Sequence, residues 1–388
     1  MSRSYPFSEP DGLKHDPTYA RLRRDEPIVR LRFPYGGEGW LVTRYDDAKA
    51  VMSDHRFSRS AAVGNDVPRM APNLVVGGSL LTMDPPDHTR LRRLVSKAFT
   101  VRRMEELRPR AQQITDELID AFDDPADLVE GLAMPLPITI ICELLGVPFE
   151  DRTDFRTWSE QLLTAGAFSP EESADGLVKL LGYIGNLVAD RRTRPTDDLF
   201  GALVLARDEE DRLSEQELVV FGVTLLVAGH ETTANQIGNA MVTLFDHPDQ
   251  LAALRADPEL LPAAVEELLR FIPLGRGAGF PRVALEDVEI GGVTIPKGDT
   301  VLVSVPSANR DESVYDHADR FDLHRDAGHH LAFGHGIHFC LGAQLARMEL
   351  QVAIGTLLRR FPGLRLAEPV EFRQGTLVRG PRRLLVTW

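Results

Sequence analysis

The sequence predicts a mainly α protein with small β-sheets, and three observations predict it. Apolar residues recur at three- and four-residue spacing over Leu107–Phe122, Leu218–Phe245, Pro262–Phe271 and Leu341–Phe361. Strand-like alternation is confined to short stretches near the two ends and after Arg282. The two patterns never alternate regularly, which argues against a doubly wound sheet.

Each element has a local reason. Ile28–Phe33 alternates, the glycines of Gly36–Gly39 turn the chain, and Trp40–Thr43 returns it, so a hairpin is expected. The stretch from Leu218 has a readable start, because Ser214 and Glu217 are spaced as a capping box, and Pro248 stops it. A helix of its length would span ~45 Å, enough to cross the whole molecule. After Arg282, Val288–Ile290 and Val293–Ile295 flank Gly291-Gly292, and Pro296-Lys297-Gly298 turns the chain into Val301–Val305. A last β region runs from Leu364 to Trp388. No repeat or long linker divides the sequence. It reads as a single domain over 1–388, with a β-rich part at about 1–60 and a helix-rich core at about 80–361.

Composition excludes several classes. Of 388 residues 43% are hydrophobic and 26% charged, which is ordinary for a folded soluble chain and argues against disorder. Lys and Arg number 44 against 58 Asp and Glu, and a net charge of −14 argues against nucleic acid as the main partner. The apolar runs Met134–Ile141 and Leu218–Ala228 fall short of the ~20 residues that span a bilayer, so no membrane association is expected. The first residues carry no apolar signal segment, and two cysteines cannot build a disulfide framework. A cytoplasmic protein is expected.

The most informative stretch is Phe333-Gly334-His335-Gly336-Ile337-His338-Phe339-Cys340-Leu341-Gly342. It places Cys340 at or just before a helix N-terminus, where free amides and the helix dipole favour a thiolate. Gly334, Gly336 and Gly342 allow tight turns or close approach to something flat. Three readings compete for Cys340. A buried structural cysteine suits Cys142, in its apolar run, better. Zinc is suggested by His324, His329, His330, His335 and His338, although structural zinc usually takes paired cysteines. The third reading is iron.

The loop resembles the heme-binding signature of the cytochrome P-450 monooxygenases, with Phe333, Gly336, His338, Cys340 and Gly342 filling its places. The resemblance implies a P-450 fold, with a long central helix over heme and the cysteine loop beneath. It also implies heme b (iron protoporphyrin IX) with Cys340 as axial thiolate, which favours O–O cleavage. His338 would bond a propionate. Ala228-Gly229-His230-Glu231-Thr232-Thr233 resembles the family's oxygen-binding segment. Glycine and threonine inside a helix suggest a kink there. By spacing, Thr224, Ala228, Thr232 and Asn235 share one face, against which a flat ring could lie. The resemblance assigns Thr232 to hydrogen-bond the oxygen to be cleaved and Glu231 to link it with solvent.

Further signatures follow in the family's order. Glu267 and Arg270 match a buried pair joined by Arg325, a structural brace. His88, Arg92 and Arg282 match propionate ligands. The chain resembles the soluble bacterial branch, whose electrons come from a ferredoxin and an NAD(P)H-dependent ferredoxin reductase. Arg92, Arg93, Lys97, Arg102, Arg103 and Arg347 are candidates for the docking face. Leu74, Val75, Thr224, Val227, Ala228, Leu274 and Leu377 are expected to line a pocket for a hydrophobic small molecule. The expected reaction is O2-dependent hydroxylation or epoxidation of a natural product of the polyketide or macrolide kind. A peroxide-driven peroxygenase and a non-turnover heme sensor are the alternatives.

Overall fold

The computed structural model describes residues 3–73, 75, 77–96, 99–163, 167–196, 199–201, 203–204 and 214–388, apart from the side chains of Phe149 and Arg152. Leu74 and Lys97, named above, lie outside the described residues.

Strands β1 (Ile28–Arg32), β2 (Glu38–Val42), β3 (Phe57–Ser58), β4 (Arg282–Ala284) and β5 (Thr300–Val303) form one sheet in the spatial order β1-β2-β5-β4-β3. β1 and β2 are the hairpin, with Ile28 opposite Val42 and Arg32 opposite Glu38. β2 runs parallel to β5, and β4 lies antiparallel to both β5 and β3. The strand expected to end at Val305 stops at Val303. Val305 instead opens a helical turn, because Pro306 supplies no N–H for a ladder but suits a first helical turn.

Five helices position the site: α1 (Asp87–Ser96), α2 (Pro135–Leu145), α3 (Glu215–Asp246), α4 (Leu261–Phe271) and α5 (Ala343–Arg360). The helix expected from Leu107 begins at Arg108, after a short helix Val101–Glu106, with Pro109 in its first turn. α3 starts at the capping box: Glu217 N–H donates to Ser214 Oγ at 3.1 Å, and Ser214 N–H to Glu217 Oε2 at 2.8 Å. Apolar side chains surround most of α3, the sign of a helix that runs through a core. α3 stays helical over its 32 residues, Gly229 included. Gly229 is tightly packed: a Cβ there would stand 2.8 Å from Ile141 of α2. Around α3 the main apolar cluster gathers Leu91, Ile141, Phe155, Leu226, Leu268 and Leu345. Cys142 is part of it and fully buried.

Candidate active site

A group of basic side chains converges from four separate parts of the chain. α1 carries His88 and Arg92 one turn apart, and His88 is buried. In the sheet Ser58 of β3 faces Val283 of β4, which brings Arg59 beside the buried Arg282. The turn Gly336–His338 adds the His338 ring, 4.6 Å from that of His88. Among the described residues Asp84 is the acid that acts on Arg59, His88, Arg282 and His338 alike. Asp84 is already engaged by Ser58 Oγ at 2.5 Å, Ser60 Oγ at 2.6 Å and the Arg59 N–H at 3.1 Å.

This crowding of like charge in a dry place has measurable consequences. Burial pulls Arg282 down to about 10. Burial, reinforced by Arg59, His88 and Arg282, pulls His338 down to about 2. Arg59 is held well below the usual arginine range by burial and by Arg282. Among the described residues, His88 Nδ1 and Arg59 Nε are buried without a hydrogen-bond partner. Such a cluster is short of negative charge, and a ligand bearing carboxylates would supply it.

Cys340 is held next to this cluster. Its N–H donates to the Phe333 carbonyl at 2.8 Å, which closes the loop. Gly336 stands at φ +69°, and a Cβ there would meet the Met52 carbonyl at 2.8 Å, so both backbone and neighbour demand glycine. Cys340 is open to solvent, yet burial in the surrounding protein raises its pKa, a combination that a hollow inside the molecule produces. The Gly342 N–H, Arg92 and Arg347 oppose that rise. Arg347 is not free for docking, as the sequence suggested. It clamps Glu266 at 2.6 and 2.8 Å and lies over the Phe333 ring at 4.6 Å, so it braces the cysteine loop.

One stripe of α3 is left uncovered in the midst of its buried surface. Ala228 is exposed, and Thr224, Gly229 and Thr232 are partly exposed. The hydroxyls of Thr224 and Thr232 each donate to the carbonyl one turn back, at 2.8 and 3.0 Å. Two residues depart from the expected face. Asn235 is buried and turns its amide to Glu231, and Val227 packs into the main apolar cluster. Glu231 is buried and paired: Arg373 Nη1 and Asn235 Nδ2 both donate to its Oε1 at 2.9 Å. Sequence reasoning missed Arg59 and Arg373. Neither carries a local signal, since each acquires its role from a strand pairing or a long-range contact.

The sequence profile of the cytochrome P450 family matches residues 186–386. Nocardicin C N-oxygenase of Nocardia uniformis subsp. tsuyamanensis is 52% identical, over 100% of this chain and 99% of that protein. The chain belongs to the cytochrome P450 family. Mycinamicin IV hydroxylase/epoxidase of Micromonospora griseorubida is 50% identical, over 100% of this chain and 98% of that protein. The crystal structure of the LnmA cytochrome P450 hydroxylase, from the leinamycin biosynthetic pathway of Streptomyces atroolivaceus, superposes with a TM-score of 0.93. It is 54% identical, with both chains covered completely.

The protein is a cytochrome P450 monooxygenase, an enzyme that takes O2 and electrons from redox partners to oxidise an organic substrate. Its cofactor is heme on a cysteine thiolate. The residues present fit that group: an accessible thiol, a bare helix stripe, and buried basic donors without acceptors. The zinc reading is dropped, because among the described residues no three His, Cys, Asp or Glu side chains are placed to hold a metal ion. Also among the described residues, no helix is long and apolar enough to cross a membrane.

In this P450 the brace is closed. Glu267 and Arg270 are fully buried and joined by two bonds of 2.7 and 2.8 Å, and Arg325 reaches Glu267 Oε1 at 3.3 Å. Arg270 also donates to the carbonyls of Asn309 and Ala318 at 2.8 Å, tying α4 to the segment before the cysteine loop. Of the expected pocket residues, Leu274 and Leu377 are brought together: the Arg379 N–H donates to the Leu274 carbonyl at 2.7 Å, and the Arg276 N–H to that of Leu377 at 3.2 Å. Val75 bridges Val63, and a Cβ on neighbouring Gly78 would lie 3.7 Å from Val220, one turn from Thr224.

Proposed function

We propose that this P450 hydroxylates or epoxidises a hydrophobic natural product of the polyketide or macrolide kind, with Cys340 as the axial thiolate. The buried basic cluster beside an open thiol carries this reading. His88, Arg92, Arg282 and His338 would hold the propionates, and Phe333, Gly336 and Gly342 shape the loop around the sulfur. The thiolate-bound heme supplies O2 activation and O–O cleavage. Ala228 leaves room for the ring against α3. The substrate class is supported by relatives whose names specify mycinamicin IV and 6-deoxyerythronolide B as substrates. Val75, Thr224, Leu274 and Leu377 are the lining residues this reading uses. Neither Cys142 nor Cys340 is in a disulfide, which is in keeping with a cytoplasmic setting.

Proton delivery falls to α3. Thr232 presents a hydroxyl on the uncovered stripe, and Glu231 is the acid next to it in sequence. Thr232→Ala is expected to leave heme binding and NAD(P)H consumption close to parent levels. Product per NAD(P)H should fall roughly tenfold or more, within the usual contribution of a positioned proton donor, as hydrogen peroxide rises. Coupling equal to the parent would remove Thr232 from this role. Probes are available in the relatives' names: mycinamicin IV and nocardicin C, each scored by displacement of the Soret band and then by product.

Electrons are assigned to a ferredoxin and its NAD(P)H-dependent reductase. Arg93, Arg102 and Arg103 are exposed, although Arg102 is paired with Glu106 at 3.0 Å. Arg92 is partly buried and acts on Cys340, so it belongs to the heme site rather than to docking. Reversing the charge at Arg102 and Arg103 together should slow heme reduction by ferredoxin several-fold at low salt and little at high salt. A rate independent of both the substitution and ionic strength would place docking elsewhere.

A further inference from the structure

Glu231 sits in a charged chain that extends well beyond α3. Arg373, at the end of the short strand Glu371–Phe372, gives one bond to Glu231 Oε1 at 2.9 Å and stands 3.6 Å from Glu160. Glu160 meets Arg156 at 3.2 Å, and Arg156 grips Glu130 with two bonds of 2.6 Å. His230, fully buried beside this chain, bonds the Leu226 carbonyl at 2.7 Å through Nδ1, and burial lowers its pKa, so it enters as a neutral ring. The chain therefore offers Glu231 two acids and two arginines arranged in alternation.

Two details give the arrangement a direction. Arg373 and Asn235 both donate to the same oxygen, Oε1, and among the described residues the buried Oε2 has no partner. One oxygen is anchored and the other is left to act. Close packing fixes the anchor: a Cβ on Gly380, whose carbonyl accepts from the Arg373 N–H at 3.0 Å, would lie 1.8 Å from Asn235 Oδ1. Arg373 also lines a cleft with Pro10, Gly12, Arg276, Phe372 and Thr376, which has room for about one water molecule. One side chain thus spans from a water-sized cleft to the buried carboxylate.

We propose that Arg373 is a positioning residue for proton delivery: it pins Glu231 through Oε1 and keeps Oε2 as the working oxygen. This rests on the proton-delivery reading of Glu231 given above. Arg373 transfers no proton, because a guanidinium stays charged throughout. Glu231 takes each proton from water and passes it on through Oε2.

The experiment compares Glu231→Gln, Arg373→Ala, Arg373→Lys and the double variant as heme-loaded proteins, with mycinamicin IV, or the natural product giving the strongest Soret displacement, as substrate. Arg373→Ala is expected to keep the thiolate-type carbon monoxide spectrum and the Soret displacement, to lose coupling several-fold, and to raise the solvent isotope effect on product formation. Arg373→Lys should recover most of the coupling, and the double variant should couple no worse than Glu231→Gln. Thermal unfolding supplies a substrate-free readout. A buried carboxylate stripped of its cation favours its protonated form, so Arg373→Ala should lose more melting temperature at about pH 8 than at about pH 5. That difference should vanish when Glu231 is Gln. Uncoupling in Glu231→Gln with normal coupling in Arg373→Ala would overturn the inference and leave the role of Glu231 standing. Normal coupling in Glu231→Gln would instead bring down the underlying reading. If Arg373→Ala takes up no heme, Arg373→Gln and Arg373→Lys decide. Coupling kept by Lys and lost by Gln supports the proposal, and equal coupling in both overturns it.

Discussion

Cys340→Ala is expected to fold, to give a carbon monoxide adduct without the far-red-displaced absorbance of sulfur ligation, and to lose turnover to the assay background. The sulfur is held by a closed loop, through the 2.8 Å bond from its own N–H to Phe333 and a glycine at 336 where a Cβ would meet the carbonyl of Met52. Alanine keeps those backbone contacts, so the loss should be chemical rather than conformational. Arg92 and Arg347 act on the sulfur and favour its charged form. Cys142→Ala is the matched control. That thiol is fully buried among Ile141, Leu145 and their neighbours, so its removal should cost some stability and leave the spectrum intact. A sulfur-type spectrum surviving in Cys340→Ala would end the present account of the site.

Arg270→Ala should be the most destabilising single substitution outside the apolar core. It leaves the Glu267 carboxylate in a fully buried place without its two-bond partner. It also strips donors from the carbonyls of Asn309 and Ala318, at 2.8 Å, and of Arg320, at 3.2 Å. Breaking a buried pair from one side typically costs about 3–5 kcal/mol. Urea unfolding of the heme-loaded protein should show that loss, and heme should dissociate faster because the segment that Arg270 ties down leads into the cysteine loop. Replacing Glu267 and Arg270 together with apolar residues should not restore stability. The carbonyls of Asn309 and Ala318 and the Asp322 N–H, which donates to Glu267 at 3.0 Å, would still lack their partners. A stability loss below about 1 kcal/mol, the range of an exposed pair, would show that water reaches this brace.

The local features of the chain were legible because they depend on neighbours in sequence. The capping box at Ser214, the hairpin at Gly36–Gly39 and the i, i+4 pair of His88 and Arg92 follow from backbone chemistry within a few residues. The cysteine loop was legible for the same reason: its glycines, histidine and thiol stand in one short run. Elsewhere packing decided what the sequence left open. Gly229 leaves a space beside α3 that Ile141 fills. Arg347 looked like a solvated cation and instead clamps Glu266.

The sequence by itself therefore determined the family, the helix-rich architecture and the thiolate candidate, since each is written in contiguous residues. Only the folded chain decided which charges meet. Arg59 joins Arg282 through the register of β3 on β4, and Arg373 finds Glu231 through the packing of Gly380 against Asn235. Electrostatic interactions act across space and strengthen as water is excluded, so partners far apart along the chain become coupled only once the core has closed around them.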